Sequence, residues 1–281
     1  MVAAGLAFTV MVACVKVVRA ELSTLEVVAW RGVVAVPLAI AMLRGRSPWP
    51  INRAVLGLRI FAGFLAMSCF YTAAHGLTVA DLSLLGRLQP VLIAIVAPMV
   101  LGRGERVDPR VWLLLAAGMA GTGVLLGPQL AVGNVYGLWA MGAVVCSGIA
   151  HTSLRVLGRT ESSETVVLWF QVGVTVLALS AVLLTTGALP RLPSPTMIPW
   201  LAGVGVAGTA GQVLMTRAYA LDRAAIVSAA SHTSPVWAVL ADALLFSVLP
   251  GTTTLVGGVI LVTAALALVL MPAREAEPES S

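Results

Sequence analysis

Long apolar segments separated by short polar breaks form the pattern of this 281-residue chain. Apolar residues run continuously through each segment instead of alternating, which favours helices over the strands of a membrane barrel. Most segments approach or exceed the roughly 20 residues that a helix needs to cross a bilayer. Glycine, proline and arginine cluster in the breaks at 44–50, 102–109 and 189–195. The pattern predicts ten helices, at about 2–18, 25–43, 54–75, 80–101, 110–127, 135–156, 164–187, 198–219, 224–246 and 253–271.

Composition also indicates a membrane protein. The chain is 59% hydrophobic and 10% charged, with a mean hydropathy of +0.99. Soluble domains have about 25% charged residues, so charge is too scarce here to cover a water-exposed surface. The net charge of +5 comes largely from loop residues and does not indicate nucleic-acid binding. Cys14, Cys69 and Cys146 fall inside apolar segments, which predicts small buried residues instead of a disulfide or metal site.

Two stretches of the sequence repeat each other. Residues 16–30 and 155–169 share a basic first residue and the ending Val-Val-x-Trp, at a constant offset of 139 positions. Residues 87–90 correspond to 232–235 at an offset of 145 positions, and both end in proline. Two copies of one unit in an apolar chain predict a transporter built from two halves.

Basic residues predict the orientation of these halves. With the N-terminus in the cytoplasm, eleven lysine and arginine residues fall in cytoplasmic loops and two in outer loops. Equivalent loops differ in charge, because 103–110 is rich in charge and its counterpart 247–253 has none. Five helices per unit would place such loops on opposite sides. We therefore expect inverted repeats at 1–128 and 134–271, cytoplasmic termini and a disordered tail at 272–281.

The chain resembles the drug/metabolite transporter superfamily, in particular its EamA-type ten-helix members. Residues 73–98 and 101–112 and the glycines of the fifth helix carry the resemblance, which covers almost the whole chain. Gly104-Glu105 fits the family's glycine–glutamate turn, whereas 249–251 departs from it. The resemblance implies a bundle in which helices 1, 3, 4, 6, 8 and 9 surround a central cavity. Within the superfamily the chain is similar to bacterial exporters of amino acids, including aromatic ones, and of other metabolites.

Arg87 and His232 are the polar residues that lie deepest in predicted helices at equivalent positions. A rise of 1.5 Å per residue places them about 10 Å and 12 Å inside their spans. Ionisable residues at such depth are functional candidates, and Arg87 would attract a carboxylate. The alternative is that both residues stabilise packing between the halves. Pro90 and Pro235 follow three residues later and are expected to bend their helices around the cavity.

Aromatic and amide residues complete the candidate site. We expect Trp30, Tyr71, Trp169 and Trp237 to offer an aromatic wall to an amphipathic solute, with packing or interfacial anchoring as the alternative. Three polar residues would bond an ammonium or carboxylate of the solute, with helix-to-helix hydrogen bonding as the alternative: Gln171, Gln212 and Ser231.

For the remaining charged residues the sequence predicts less direct roles in transport. His151 is expected to line only an inner vestibule, and Arg31 is a weak candidate. Lys16 and Arg59 lie near predicted helix ends, so we expect them to extend toward the membrane surface. Acidic residues also lie near span ends, which leaves proton coupling open, with His232 as its candidate. They are Asp81, Asp222 and Asp242.

These features predict a secondary transporter in the bacterial inner membrane. It would export amino acids or related small amphipathic metabolites by alternating access, and it would need no cofactor or metal. Organic cations, drugs and nucleotide-type metabolites are alternative substrates. A channel is disfavoured because two inverted halves in one chain fit a carrier better. A membrane-embedded enzyme is disfavoured because nucleophile and metal motifs are not evident. The expected partners are a small-molecule substrate and lipid, while the oligomeric state stays open.

Overall fold

The computed structural model describes residues 1–77, 85–86, 88–101, 109–126 and 135–246, together with residues 252, 256, 259, 260 and 263. Across these ranges the chain forms helices and connecting loops and contains no strand. In chain order the α-helices are α1 (Val2–Val18), α2 (Thr24–Met42), α3 (Arg53–Gly76), α4 (Leu88–Leu101), α5 (Pro109–Leu126), α6 (Val135–Leu157), α7 (Ser163–Thr186), α8 (Ile198–Leu221), α9 (Ala224–Ala229) and α10 (Ser234–Phe246).

Five helices in the described part of the chain are long and apolar enough to cross a membrane: α2, α3, α6, α7 and α8. Each begins within one residue of its predicted start. Outward side chains such as Leu184, Leu244 and Met99 are at least 80% exposed, which suits contact with lipid tails of similar polarity. The prediction of an all-helical, multi-pass membrane protein is confirmed over the described residues.

Local capping signals start the equivalent helices α2 and α7. At α2, the Ser23 hydroxyl accepts a bond from the Glu26 N–H, and the Glu26 carboxylate accepts one from the Ser23 N–H at 2.7 Å, which completes a capping box. At α7, the Ser162 hydroxyl accepts a bond from the Thr165 N–H at 3.1 Å. Gly187 ends α7 with a left-handed φ of +68°.

Helices from the two parts of the chain pack in reciprocal pairs: α1 along α8, α3 along α6, and α2 along α7. Glycine permits close approach in two of the remaining contacts. A Cβ added at Gly205 would lie 2.4 Å from the Cβ of Val34, and one added at Gly173 would lie 2.5 Å from the Cγ2 of Ile60. The two contacts correspond to each other under the sequence repeat, because Val34 is equivalent to Gly173 and Ile60 to Gly205. The glycine is on α8 in the first contact and on α7 in the second.

The loop after α7 folds back onto the start of α2. The Glu26 carboxylate accepts three bonds from Arg191, at 3.0 Å from the backbone N–H, 2.9 Å from Nε and 3.0 Å from Nη2. Glu21 accepts bonds from the Ser194 N–H at 2.7 Å and hydroxyl at 2.6 Å. Trp30 donates from Nε1 to the Arg191 carbonyl at 2.8 Å. We call these five residues the first clasp.

A second clasp joins the loop after α2 to the start of α7. Glu164 pairs with Arg46 of that loop and with Arg217 of α8, where Nη2 lies 2.8 Å from the carboxylate. Glu161 accepts two loop N–H groups at 2.6 Å, and Trp169 donates from Nε1 to a loop carbonyl at 2.5 Å. The two clasps therefore use the same residue types, which are glutamate, arginine and tryptophan, at near-equivalent helix positions.

The predicted ninth span is interrupted in its first half. α9 ends at Ala229, a 3₁₀ turn covers Ala230–Thr233, and α10 follows. The Ser234 N–H bonds to the Ser231 carbonyl three residues back, and Pro235 has no N–H with which to continue the α-helical ladder. Irregular backbone at membrane depth is tolerated where it lines a cavity, and Ser231 and Ser234 do line one.

Candidate functional site

A cavity of about 270 Å³ lies at the centre of the bundle. Its described lining comes from α1, α2, α3, α4, α6, α7 and α8, and from the 3₁₀ turn with α10, so both parts of the chain contribute. Most of the lining is apolar. The polar members that matter most to the argument are Arg31, Arg59, Gln89, His151 and Gln212.

Arg59 lies on the cavity wall, and the expectation that it extends to the membrane surface is wrong. Its side chain is only 2% exposed. Nη2 donates to the Gln212 amide oxygen at 2.9 Å, and the guanidinium carbon lies 3.9 Å from the centre of the Phe170 ring. These contacts replace water on one edge and one face of the guanidinium. Nε has no hydrogen-bond partner among the described residues.

Arg31 lies on the same cavity and is also 2% exposed. Nη1 donates to the Met67 sulfur at 2.7 Å, and a thioether is a weak acceptor. Nε and Nη2 have no hydrogen-bond partner in the described part of the chain. Arg31, which the sequence offered only as a weak candidate, is therefore one of the principal cations of the site.

His151 lines the central cavity as well, not only an inner vestibule as predicted. Its Nδ1 bonds to the Gln89 amide of α4. Its ring lies 5.4 Å from the Tyr219 ring at an angle of 31°. These contacts fix the imidazole on the wall formed by α6.

Tyr71 and Gln212 are the predicted site residues that the structure brings to the cavity. Tyr71 is fully buried, and its hydroxyl donates to the Met11 sulfur at 3.5 Å. Gln212 orients Arg59 as described above. Gln171 lies outside the described lining and donates to the Thr209 hydroxyl at 3.3 Å, which is the helix-to-helix role offered as its alternative.

Three predicted tryptophans lie outside the described cavity lining. Trp30 and Trp169 belong to the clasps, where each indole N–H holds the loop carbonyl of Arg191 or Pro48. The expected aromatic wall at these positions is therefore corrected, because their polar edges face loops. Trp237 of α10 is partly buried near Gly5, and its indole nitrogen is unbonded within the described ranges.

Other predicted positions fall partly or wholly outside the description. Arg87 is outside the described residues, and so is the side chain of His232, whose backbone belongs to the 3₁₀ turn. Pro90 is buried in α4, two residues after Leu88. Pro235 directly follows the break between α9 and α10.

Acidic groups are missing from the part of the cavity lining that the structure describes. Asp222 is exposed at the end of α8, whereas Asp81 and the side chain of Asp242 are outside the description. Among the described residues, no cluster of histidine, cysteine, aspartate or glutamate is able to hold a metal ion. The described lining is consequently cationic.

Sequence reasoning missed Arg59 and Phe170. The repeat offset was an available signal, because Gly63 and Gly208 stand 145 positions apart. Gly63 lies against the Arg59 guanidinium, and Gly208 lies against that of Arg31. A Cβ added at Gly63 would lie 2.6 Å from Nη1 of Arg59, and one added at Gly208 would lie 2.9 Å from Nε of Arg31. Paired glycines at equivalent positions therefore marked where large side chains enter the cavity.

Comparison with known proteins gives one family. A sequence model described as the EamA-like transporter family matches residues 1–127 and 135–271. The chain is 27% identical to the pseudopaline exporter CntI of Pseudomonas aeruginosa over 277 residues, which cover 95% of this chain and 93% of that one. It is 25% identical to an uncharacterized transporter of Helicobacter pylori, with coverage of 84% and 82%. A solved crystal structure has a TM-score of 0.77 at 19% identity, covering 97% of this chain and 99% of the other.

Proposed function

Because the chain belongs to the EamA-like transporter family, we propose that it is a secondary transporter of the bacterial inner membrane. It exports amino acids, aromatic ones among them, or related small amphipathic metabolites. The observation that carries the proposal is the central cavity, where two buried arginines without carboxylate partners in the described chain face a mostly apolar wall. Such a surface suits a solute with a carboxylate and an apolar body.

We propose that transport proceeds by alternating access between two inverted five-helix repeats. The two family matches support this arrangement, as do the reciprocal helix pairs and the paired clasps. The opposed charges of equivalent loops support the inversion, and the excess of basic residues in the loops on the side of the N-terminus supports cytoplasmic termini. A cavity between the halves would then open to one side of the membrane at a time.

The similarity to a pseudopaline exporter supports a small metabolite as the exported solute. The cavity chemistry counts against organic cations, because its described lining contains two arginines and no carboxylate. A channel is disfavoured because two inverted halves around a binding cavity suit a carrier better. The family membership and the lack of a described metal cluster likewise support transport over catalysis.

Counterflow with the purified full chain in liposomes tests this function. Liposomes loaded with unlabelled phenylalanine should take up labelled phenylalanine with saturable kinetics, at rates well above protein-free liposomes. Ala66→Trp should block uptake, because Ala66 lines the cavity. Leu184→Trp is the matched control, since Leu184 is 85% exposed on the outer surface. Conductance without saturation, or equal uptake by the two variants, would contradict the proposal.

A further inference from the structure

Two arginines of different helices enter the central cavity from neighbouring walls. Arg31 belongs to α2 and Arg59 to α3, and each is 2% exposed. Both line the same cavity, whose described lining has no carboxylate. Burial without an opposite charge is unfavourable for each guanidinium.

Neutral contacts satisfy only part of either guanidinium. Arg59 uses Nη2 for Gln212 and one face for Phe170, while Arg31 uses Nη1 for a thioether. Three further nitrogen atoms lack hydrogen-bond partners within the described ranges: Nε of Arg59, and Nε and Nη2 of Arg31. These three atoms are buried, and Nε of Arg31 lies against Gly208 of α8. Each arginine also lines the cavity, where a carboxylate would supply the charge-assisted bonds that the neutral contacts do not.

The second half of the sequence repeat has no arginine equivalent to Arg31, so the second cation of the cavity, Arg59, is not its repeat copy. Arg31 and Phe170 stand at equivalent positions, next to the equivalent Trp30 and Trp169. Arg31 packs on Gly208, and Phe170 packs on the equivalent Gly63. Arg59 then lies on the Phe170 ring. The second half has Phe170 at the position equivalent to Arg31, and the Arg59 guanidinium of α3 supplies the cation there.

We infer that the cavity recognises solutes with two carboxylates, one for each of the Arg31 and Arg59 guanidinium groups, joined by an apolar portion. This inference rests on the proposed transport function and names its substrate class. The apolar portion would contact lining residues such as Met67, which touches Arg31, and Phe170, which touches Arg59. A solute with one carboxylate would leave one buried cation unpaired.

A matched pair of dipeptides tests the inference. Aspartyl-phenylalanine and asparaginyl-phenylalanine have nearly the same shape and differ by one carboxylate. In counterflow with the wild-type chain, the half-saturating concentration should be about tenfold lower for aspartyl-phenylalanine, as expected for one further charge-assisted bond. Its stabilising shift of the melting temperature in detergent should also be larger at equal concentration.

Single variants assign the two charges. Arg31→Gln and Arg59→Gln should each bring the two half-saturating concentrations within about twofold. Arg59→Lys should keep part of the preference, because it retains the charge without the planar fork. Arg53→Gln should leave the preference intact, because Arg53 is an exposed arginine on the same helix and outside the described cavity lining.

The outcomes separate this inference from the proposed function. Equal half-saturating concentrations in the wild-type chain would overturn the two-carboxylate inference and leave the transport function standing. Equal melting shifts with the two dipeptides would overturn the two-carboxylate inference even if no flux is measured. If the variants fail to fold, the comparison of the two dipeptides on the wild-type chain decides the test. Loss of saturable flux for phenylalanine and both dipeptides would instead overturn the transport function, while a larger shift with aspartyl-phenylalanine would still support the two-carboxylate site.

Discussion

The clasps and the cavity bury charged side chains to a similar extent, but they differ in whether a partner of opposite charge is present. In the clasps, Glu26 and Glu164 are 5% and 4% exposed, and each pairs with an arginine whose side chain is more than half exposed. In the cavity, Arg31 and Arg59 are 2% exposed and have no carboxylate partner among the described residues. Both regions bury charge, but only the clasps pair it.

This difference separates stabilising charges from charges that are available to a ligand. A clasp arginine remains in water, so its glutamate gains several hydrogen bonds while only one partner loses its hydration. A cavity arginine loses hydration and gains mainly neutral contacts, which is unfavourable until an anion binds. Proteins retain such unfavourable groups where activity requires them.

The largest effect is expected for Arg31→Met. Transport of aspartyl-phenylalanine should fall about 100-fold, because a charge-assisted contact to a solute carboxylate is lost. The melting temperature should not fall, since an apolar side chain replaces an unpaired buried cation. Proteoliposome flux and thermal unfolding of the same preparation check both. A lower melting temperature with normal flux would show that Arg31 has a structural role.

Glu164→Gln should have the opposite profile. It removes the charge that Arg46 and Arg217 share, and we expect the free energy of unfolding to fall by about 1 to 3 kcal/mol. The deficit should shrink at high salt, because both arginines are more than half exposed. Thermal unfolding in low and high salt checks this. Asp222→Asn, at an exposed carboxylate, is the control and should change stability little; an equal loss there would contradict the assignment.

Gly63→Ala tests the room available for the cavity cation. The added Cβ would lie 2.4 Å from the Phe170 ring and 2.6 Å from Nη1 of Arg59, so overpacking should lower stability by about 1 to 3 kcal/mol and weaken solute binding. Gly57→Ala on the same helix meets open space and should gain up to about 1 kcal/mol from helix propensity. Melting temperatures and half-saturating concentrations of the two variants check these opposite signs.

The helices were predictable because their determinants are local. Continuous apolar runs place the starts of α2 and α7 within one residue, and the structure caps them at Ser23 and Ser162. Pro235 predicted a bend in the ninth span, and the helix is interrupted just before it, after Ala229.

The site was less predictable because distance from a helix end does not reveal which face a side chain occupies. Arg59 is the seventh residue of α3 and was expected at the surface. Phe170 and Gln212, more than 100 positions later, hold it in the cavity instead. Trp30 and Trp169, which the sequence repeat pairs, both lie in the clasps and outside the described cavity lining.

The smallest effect is expected in acid at the first clasp. The hydroxyl and N–H of Ser194 bond to the Glu21 carboxylate and hold its pKa below the ordinary value. A lowered pKa means that this contact contributes stability above the ordinary glutamate pKa and loses it as pH falls through the lowered value. Glu21→Gln should therefore lower the melting temperature slightly at pH 7, with a difference that diminishes below about pH 4. Thermal unfolding at several pH values checks this, and a deficit that grew toward acid would contradict the sign. The expected sign would show that a clasp carboxylate stabilises the fold through hydrogen bonds that favour its charged form. The cavity cations have few such partners among the described residues.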